Sequence, residues 1–391
     1  MKSIGIRRAF WGIFGDQPAV VVRAPGRVNL MGGHTDYNEG YVLPVAIDRS
    51  VMVAASLRRD RRVVIHALDF GQRTEFPLDA IERDEEQAWS NYQRGVAHFL
   101  QQEGFELLGL NACISGDVPI GSGLSSSAAV EVAIAYTWRV LCGLKLDMVK
   151  LALLCQRAEN EFVGMSCGIM DQLISALGRQ GCAMLIDCRS LAHEFVPLPS
   201  SVAIVVSDTM VRRELVSSEY NLRRRECEEG VRLLRSYLPG IRALRDISPA
   251  QFERYAGKLP EVVRKRCRHV VYENQRVLEG AEALRKGDLA RFGQLMNESH
   301  ASLRDDYEVS CRELEVIAEA AQEVEGAYGT RITGAGFGGC TVSLVDEEAV
   351  EDFRRHVAEK YEAATGIVPQ IYACHAEGGV STMSGPAPSL S

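Results

Sequence analysis

The stretch PIGSGLSSSAAVEV, residues 119–132, decides how the rest of this sequence is interpreted. Gly121 and Gly123 permit a tight backbone turn, because a residue without a Cβ tolerates positive φ. Three serines follow at 125–127, and the Ala-rich apolar run after them predicts a buried helix. A glycine turn that leads into a helix N-terminus presents free N–H groups and the positive end of the helix dipole. The sequence therefore favours a phosphate-binding loop over the alternative, an ordinary capped core helix.

Composition excludes several classes of function. The 391 residues are 46% hydrophobic and 25% charged, as in soluble globular proteins, and suffice for two hydrophobic cores. A formal net charge of −8 argues against nucleic acid or an anionic membrane as partner. The basic run Arg223-Arg224-Arg225 is followed directly by glutamates, so we interpret it as a solvated helix face.

Cysteine usage and the apolar runs indicate the compartment. The 11 cysteines include no C-x-x-C pair, which favours a reducing environment over a disulfide framework or a zinc site. Residues 1–15 contain no long apolar region with a cleavage site, and no run approaches 18 apolar residues. We therefore expect a cytoplasmic protein. A monomer or weak homodimer is a separate expectation.

Hydrophobic periodicity predicts a strand-rich first half and a helix-rich second half. Strands are expected at 19–24 (ended by Pro25-Gly26), 41–57, 61–66, 73–78, 110–115, 182–187, 202–208 and 368–375, with a strand–glycine turn–strand at 331–345. Helices are expected at 89–100, 147–163, 217–238, 259–285, 289–325 and 347–364. We assign 1–193 to an N-terminal domain, 194–376 to a C-terminal domain with the ligand cleft between them, and 377–391 to a disordered tail.

Two glycine patterns are excluded as nucleotide motifs. Gly334, Gly336 and Gly339 match G-x-G-x-x-G, but the dinucleotide motif must open a helix. The residues that follow, CTVSLV, are typical of a strand. The 119–132 loop also lacks the Gly-Lys-Ser/Thr of a Walker A motif. A different phosphate-binding architecture is needed.

Reactive side chains are concentrated in two further segments. Arg27, His34 and Asp36 lie within ten residues of one another beside paired glycines, and Asp171 lies between apolar pairs. A solvated polar loop and a helix cap are the ordinary interpretations. Phosphoryl transfer, however, requires positive charge at the transferred group and a carboxylate beside the attacking hydroxyl, and these residues would supply both.

Six segments together resemble the galactokinases, members of the GHMP superfamily of small-molecule kinases that also includes homoserine and mevalonate kinases. They are GRVNLMGGHTDYNEGYVLP (26–44), VPIGSGLSSSAAVEVA (118–133), AENEFVGMSCGIMDQ (158–172), SSEYNLRRRECEE (217–229), ESHASLRDDYEVSCREL (298–314) and RITGAGFGGCTVSLV (331–345). The resemblance covers nearly the whole chain. It implies an α+β, two-domain GHMP-kinase-like fold, with a small antiparallel sheet in the helix-rich C-terminal domain and the active site between the domains.

The resemblance also implies roles for individual residues. Asp171 and Arg27 match the catalytic carboxylate and the arginine that stabilises phosphoryl charge. The sugar-binding positions are matched by Gly33, His34, Asp36, Gly168 and Tyr220, with Asp36 on the 3- and 4-hydroxyls. ATP would contact Gly121, Gly123, Leu124, Ser125, Ser126 and Ser127, with Trp89 on the adenine. Ser126 and Glu159 match the Mg²⁺ ligands, since hydroxyl and carboxylate oxygens suit that ion. The expected activity is transfer of the ATP γ-phosphoryl group to the C1 hydroxyl of α-D-galactose.

Gly33 departs from the family pattern, which has Glu or Asp at that position, where the acid accepts a hydrogen bond from the sugar 6-hydroxyl. Loss of a hydrogen bond to a charged acceptor costs roughly 1.5–3 kcal/mol. The same chemistry on a sugar altered at C6, D-galacturonate or L-arabinose, therefore remains an alternative. Ala335 replaces a frequent glycine, a milder departure. A sugar-sensing regulator is a further alternative, which the intact phosphate loop, Arg27 and Asp171 disfavour.

Overall fold

The computed structural model describes residues 3–119, 121–165, 167–212 and 216–383. The helices are α1 (Ser3–Phe14), α2 (Asn91–Gln102), α3 (Ser126–Leu141), α4 (Met148–Arg157), α5 (Met170–Leu177), α6 (Val216–Leu234), α7 (Pro249–Tyr255), α8 (Glu261–Arg285), α9 (Leu289–Asp305), α10 (Arg312–Gln322) and α11 (Val350–Thr365). The strands are β1 (Val20–Asn29), β2 (Tyr41–Val42), β3 (Pro44–Arg58), β4 (Arg62–Ala67), β5 (Gln72–Pro77), β6 (Gly109–Gly116), β7 (Cys182–Asp187), β8 (His193–Pro197), β9 (Val202–Asp208), β10 (Ala327–Thr333), β11 (Cys340–Asp346), β12 (Gln370–Cys374) and β13 (Ser381–Thr382).

A six-stranded sheet of order β13-β1-β3-β6-β4-β5 forms the centre of the N-terminal half. Neighbouring strands are antiparallel except β4 and β6, which run parallel. Alternation along β1 places Val20 and Val22 in one apolar cluster, shared with α3, and Val21 in another. Both faces of the sheet are therefore buried.

Helix α1 covers the face of the sheet that contains Val21. No element was predicted for this segment of the chain. Ile6 and Phe10 are fully buried and share an apolar cluster with Val21 and Ala54 of the sheet. Glycines at 5 and 12 interrupt the helical pattern of this segment. The helix is explained by tertiary packing of the i, i+4 pair rather than by local propensity.

Strand β1 does not end at Pro25-Gly26, as expected, but continues to Asn29 with a register shift between Pro25 and Arg27. A Cβ on Gly26 would lie 2.8 Å from the carbonyl oxygen of Leu124. The glycine therefore serves close approach: the Arg27 N–H donates to that same carbonyl at 3.1 Å. The strand reaches the 119–132 loop because position 26 has no side chain.

The other sheets have three strands, in the order β2-β7-β8, and four strands, in the order β10-β11-β9-β12. Strand β8 lies in what we expected to be a loop, and it pairs with β7. The domain boundary at 193/194 stays a prediction. Strands β10 and β11 flank a glycine turn, which confirms the exclusion of a dinucleotide motif. The helical stretch expected at 289–325 is two helices, α9 and α10.

Two expectations need correction. The tail from Glu377 was expected to be disordered, but β13 pairs with β1 through Ser381 and Thr382; residues 384–391 lie outside the described residues. Arg223 is not solvated: it is 6% exposed and donates to the carbonyl oxygens of Tyr307 and Glu308 at 2.8 and 2.9 Å.

Among the described helices, none combines the length and apolar character needed to cross a membrane.

The packing of α1 gives a matched pair of variants. We expect Ile6→Ala to lower the free energy of unfolding by about 2–5 kcal/mol, because it leaves a cavity in place of most of a fully buried side chain. Ile4→Ala, on the same helix at 56% exposure, should change it by less than about 0.5 kcal/mol. Denaturant unfolding measures both. Equal effects would show that α1 does not form part of the core.

Candidate active site

Residues from distant parts of the chain line one cavity of about 780 Å³. Those expected from the sequence are Arg27, Gly33, His34, Asp36, Gly121, Gly123, Leu124, Ser125, Ser126, Ser127, Glu159, Gly168, Asp171 and Tyr220. Trp89 is not among them. The turn between β10 and β11 contributes Gly334 and Ala335, so both halves of the chain form the walls.

Arg27 and Asp171 form a bidentate ion pair at the base of this cavity. Arg27 Nε donates to Oδ1 of Asp171 at 2.7 Å, and Nη2 donates to Oδ2 at 2.6 Å. The Ser125 hydroxyl also donates to Oδ2, and Arg27 Nη1 donates to the carbonyl oxygen of Gly123. The Asp171 side chain is 22% exposed and stands in the first turn of α5. The pair thus joins β1, α5 and the 119–132 loop.

The 119–132 loop leaves the N-terminus of α3 open to the cavity. Gly121, Gly123 and Ser125 have positive φ angles of 69°, 82° and 59°. Within the described residues, the Ser125 side chain does not cap α3, because its hydroxyl is turned to Asp171. The first N–H groups of a helix have no partner within the helix. They are therefore available to an anion in the cavity.

Trp89 lines a second, smaller cavity of about 200 Å³. Most of its lining is apolar, including Val51, Phe70 and Val130. Tyr92, Ser126 and Ser127 line both cavities. The start of α3 therefore lies between an apolar pocket and a polar one.

Asp36 lies against Gly168, where a Cβ would overlap the Asp36 carboxylate. The pKa of Asp36 is raised from 3.8 to about 6, chiefly by burial and then by the charge of Asp171. The glycine at 168 is thus required by the close approach of the 158–172 segment to the carboxylate. Tyr220 packs beside the segment that carries Asp36. The centroid of its ring is 5.6 Å from that of His34 and 5.0 Å from that of Tyr37.

His34 has both ring nitrogens occupied by protein groups. Nε2 lies 3.2 Å from the carbonyl oxygen of Ala335, which can only accept, so Nε2 carries the proton. Nδ1 then accepts from the Tyr37 hydroxyl at 2.8 Å, and Tyr37 accepts from Tyr307 at 2.7 Å. Burial lowers the pKa of His34 to about 3. The ring is neutral and fixed, and it can offer a ligand only its face and edge.

Carboxylates outnumber cations beside the loop. Glu159 is 7% exposed, and its Oε2 accepts from Gln172 at 2.7 Å and from the Cys167 thiol at 3.4 Å. Burial, and then the charge of Asp171, raise the pKa of Glu159. Gln172 also donates to Glu131, a fully buried acid whose pKa is raised well above its usual value by burial and then by Glu159. An added cation would favour the ionised forms of these acids.

Arg331 was not singled out from the sequence, although it lies in the RITGAGFGG segment. It is 1% exposed, lines the cavity and lies against Gly33, where a Cβ would overlap its Nη2. Its Nη1 donates to the carbonyl oxygen of Asn29 at 3.1 Å. The nearby carboxylate of Glu273, on α8, is fully buried. Although burial opposes it, Arg276 and Arg331 hold the pKa of Glu273 well below its usual range.

The remaining lining residues that sequence reasoning missed include Asn29, Tyr92 and Asn221. Each lies within a few positions of a residue that was identified, so adjacency was the available signal. Glu273 gave no such signal, because it is one of many charged residues in a helical stretch.

The chain is similar to known families and to individual relatives. Residues 8–57 match the galactokinase galactose-binding signature, residues 91–179 the N-terminal domain of GHMP kinases, and residues 281–363 the C-terminal domain of GHMP kinases. The galactokinase of Roseiflexus sp. (strain RS-1) is 55% identical over 375 residues, which cover 96% of both chains. That of Chloroflexus aggregans is 50% identical over 376 residues, again 96% of both.

Solved structures agree with these matches. The Lactococcus lactis galactokinase, solved as a complex with galactose, superposes with a TM-score of 0.93 at 37% identity, covering 96% of this chain and 98% of that one. A mevalonate kinase shares the fold, with a TM-score of 0.65 at 17% identity over 91% of this chain and 99% of that one. The α+β, two-domain GHMP-kinase fold expected from the sequence is confirmed. With half or more of its residues identical to each of two galactokinases along almost its whole length, this chain belongs to the galactokinase family.

Proposed function

We propose that this protein is an ATP-dependent sugar 1-kinase that transfers the γ-phosphoryl group of ATP to the C1 hydroxyl of α-D-galactose. The observation that carries this proposal is the Arg27–Asp171 pair, fixed by Ser125 where the glycine-serine loop meets the polar cavity. Phosphoryl transfer needs a carboxylate at the attacking hydroxyl and positive charge at the transferred group, and this pair supplies both side by side.

ATP would lie across the two cavities. Its adenine would enter the apolar pocket beside Trp89, and its phosphates would meet the N-terminus of α3 at Ser126 and Ser127, which line both cavities. Gly121, Gly123, Leu124 and Ser125 shape the backbone around the phosphates. The free N–H groups and the helix dipole would stabilise their negative charge.

Mg²⁺ would be held by Glu159 and Ser126, which offer the hard oxygen ligands that this ion prefers. The excess of buried carboxylates around Glu159 fits a site that awaits a cation. Among the described residues there is no cluster of three or more His, Cys, Asp or Glu arranged for a metal. When bound, the ion would neutralise phosphate charge.

Asp36 would bind the sugar's 3- and 4-hydroxyls, because an ionised carboxylate can accept from both. Gly168 leaves room for that carboxylate. Tyr220 would pack on the sugar ring. His34, whose ring nitrogens are occupied, would act as a positioning residue that holds the Gly33–Asp36 loop against Ala335.

Asp171 would receive the proton of the C1 hydroxyl. A carboxylate has about four acceptor positions, and Asp171 uses one on Oδ1 and two on Oδ2 for Arg27 and Ser125. Oδ1 therefore keeps a position for the sugar hydroxyl. As the proton moves to Asp171, the sugar oxygen bonds to the γ-phosphorus and the bond to the bridging oxygen breaks, releasing ADP. Arg27 stabilises the charge on the transferred group.

The proposed location is the cytoplasm, with a monomer or weak homodimer as the working state. None of the 11 cysteines forms a disulfide in the structure, and six of them are buried: Cys113, Cys155, Cys227, Cys267, Cys340 and Cys374. Unpaired cysteines are typical of reducing compartments.

The first test is ADP release from Mg-ATP in the presence of D-galactose. We expect Asp171→Asn to lower kcat by about 10²- to 10⁴-fold, because the amide cannot accept the hydroxyl proton. The substitution keeps the size of the side chain, and the thermal midpoint should confirm that the variant is folded. Turnover within tenfold of the wild type would refute the assigned role of Asp171.

Sugar use should depend on pH through Asp36. Its carboxylate must be ionised to accept sugar hydroxyls, and its pKa is raised to about 6. At saturating Mg-ATP, we expect kcat/KM for galactose to fall below pH 6, approaching tenfold per pH unit. The same acid limb in Asp36→Asn would show that another group titrates.

Trp89 should affect ATP and not the sugar. We expect Trp89→Ala to raise KM for ATP by about tenfold, since stacking on a base contributes about 1–3 kcal/mol, and to change KM for galactose by less than about twofold. Trp11→Ala, at a side chain 49% exposed on α1, is the control and should change neither. A parallel rise in both constants for Trp89→Ala would remove the adenine assignment.

A further inference from the structure

The guanidinium of Arg331 is a buried cation with too few partners. Nη1 makes one hydrogen bond, to the carbonyl oxygen of Asn29 at 3.1 Å. Nε has no hydrogen-bond partner within the described residues, and Nη2 lies 3.9 Å from Oε1 of Glu273, beyond hydrogen-bond distance. A side chain that is 1% exposed would normally have these donors satisfied.

Glu273 attracts Arg331 but makes no hydrogen bond to it, because the nearer oxygen, Oε1, already accepts from other donors. Oε1 accepts from the N–H groups of Gly32 and Gly33 at 2.9 and 3.2 Å and from the Ser299 hydroxyl at 2.7 Å. Oε2 accepts from Arg276 Nε at 2.7 Å. One carboxylate thus faces two guanidiniums, and its closer ion pair is with Arg276. Arg331 therefore places in the cavity wall a guanidinium whose donors Glu273 does not satisfy.

Gly33 decides that this charge faces the cavity. The peptide at Gly33 is held from both sides: its N–H donates to Glu273, and its carbonyl oxygen accepts from His269 Nε2 at 3.0 Å. Its Cα is therefore fixed, and Nη2 of Arg331 fills the space that a Cβ would need. An acidic side chain at position 33 would contact the guanidinium of Arg331 and form an ion pair with it. With glycine there, the guanidinium offers its donors to the ligand.

We infer that Arg331, whose donors beside Gly33 are not all satisfied, recognises a carboxylate at C6 of the sugar, so that the enzyme phosphorylates a hexuronic acid of galactose configuration, D-galacturonate, in addition to galactose. This inference rests on the proposed sugar 1-kinase function. A guanidinium has donors only and binds carboxylates in bidentate geometry. A 6-hydroxyl can accept from it but leaves the positive charge uncompensated. The bonds that form and break are the same as with galactose: the C1 oxygen attacks the γ-phosphorus, its proton goes to Asp171, and ADP leaves. The C6 carboxylate does not react.

The test compares kcat/KM for D-galacturonate, D-galactose and L-arabinose, the last having the same ring without C6. In the wild type, we expect D-galacturonate to exceed L-arabinose by tenfold or more. In Gly33→Glu, the ratio of D-galacturonate to D-galactose should fall at least tenfold, because the new carboxylate pairs with Arg331 and repels the sugar acid. The matched variant Gly33→Gln adds the same bulk without charge and should lower that ratio less than threefold.

Arg331→Met provides a second route if bulk at position 33 prevents folding. This variant should lower the ratio of kcat/KM for D-galacturonate to kcat/KM for D-galactose at least tenfold. Calorimetric titration with D-galacturonate in the absence of ATP should show the same loss of affinity. A wild-type preference over L-arabinose below tenfold, or equal falls in Gly33→Glu and Gly33→Gln, would overturn the inference. Turnover of galactose without galacturonate overturns this inference alone, whereas turnover of neither overturns the proposed function with it.

Discussion

The active site depends on the contact between β1 and the 119–132 loop at Gly26. The Arg27 N–H donates to the Leu124 carbonyl oxygen, and the absence of a side chain at position 26 makes this approach possible. One residue later along β1, the Arg27 side chain reaches Asp171 on α5 and the carbonyl oxygen of Gly123. The first strand, the loop and the helix that carries the acid are therefore held at fixed separations by one short segment of chain. Catalytic groups that must act together need this kind of fixed geometry.

Charge is distributed unevenly along the cavity, and the distribution follows the proposed reaction. Beside the loop, Glu159, Asp171 and the buried Glu131 leave an excess of acid that suits a divalent cation and a proton acceptor. At Gly33, the guanidinium of Arg331 keeps an unsatisfied donor, because the nearer oxygen of Glu273 accepts from other groups. Asp36 is affected by the acid side: burial and Asp171 raise its pKa. In a buried site, a group of either sign that is left unpaired is costly, so each imbalance indicates what a ligand has to bring.

Sequence reasoning identified most of the residues that line the site, because motifs of fixed local geometry can be recognised in a linear pattern. Glycines at 121 and 123 have the positive φ angles that the turn was expected to need, and the β10–turn–β11 unit follows from β-branched residues around glycines. Tertiary contacts were not accessible in the same way. Pro25-Gly26 was expected to end a strand, but a contact with residue 124 makes it a bulge inside one. Helix α1, strand β8 and the pairing of β13 with β1 likewise depend on partners distant in sequence.

The same limit applies to specificity. Gly33 was recognised as a departure within its motif, and a missing acid by itself suggests only a lost hydrogen bond. What stands in its place is a side chain from β10, nearly 300 positions away (Gly33 and Arg331), beside a carboxylate from α8 whose acceptors are taken by the backbone of residues 32 and 33. The substitution therefore does not leave a gap; it leaves a guanidinium with unsatisfied donors in the cavity wall. Position 33 can be interpreted only together with Arg331 and Glu273, since the donors that a ligand meets there are those of Arg331 that Glu273 leaves unsatisfied.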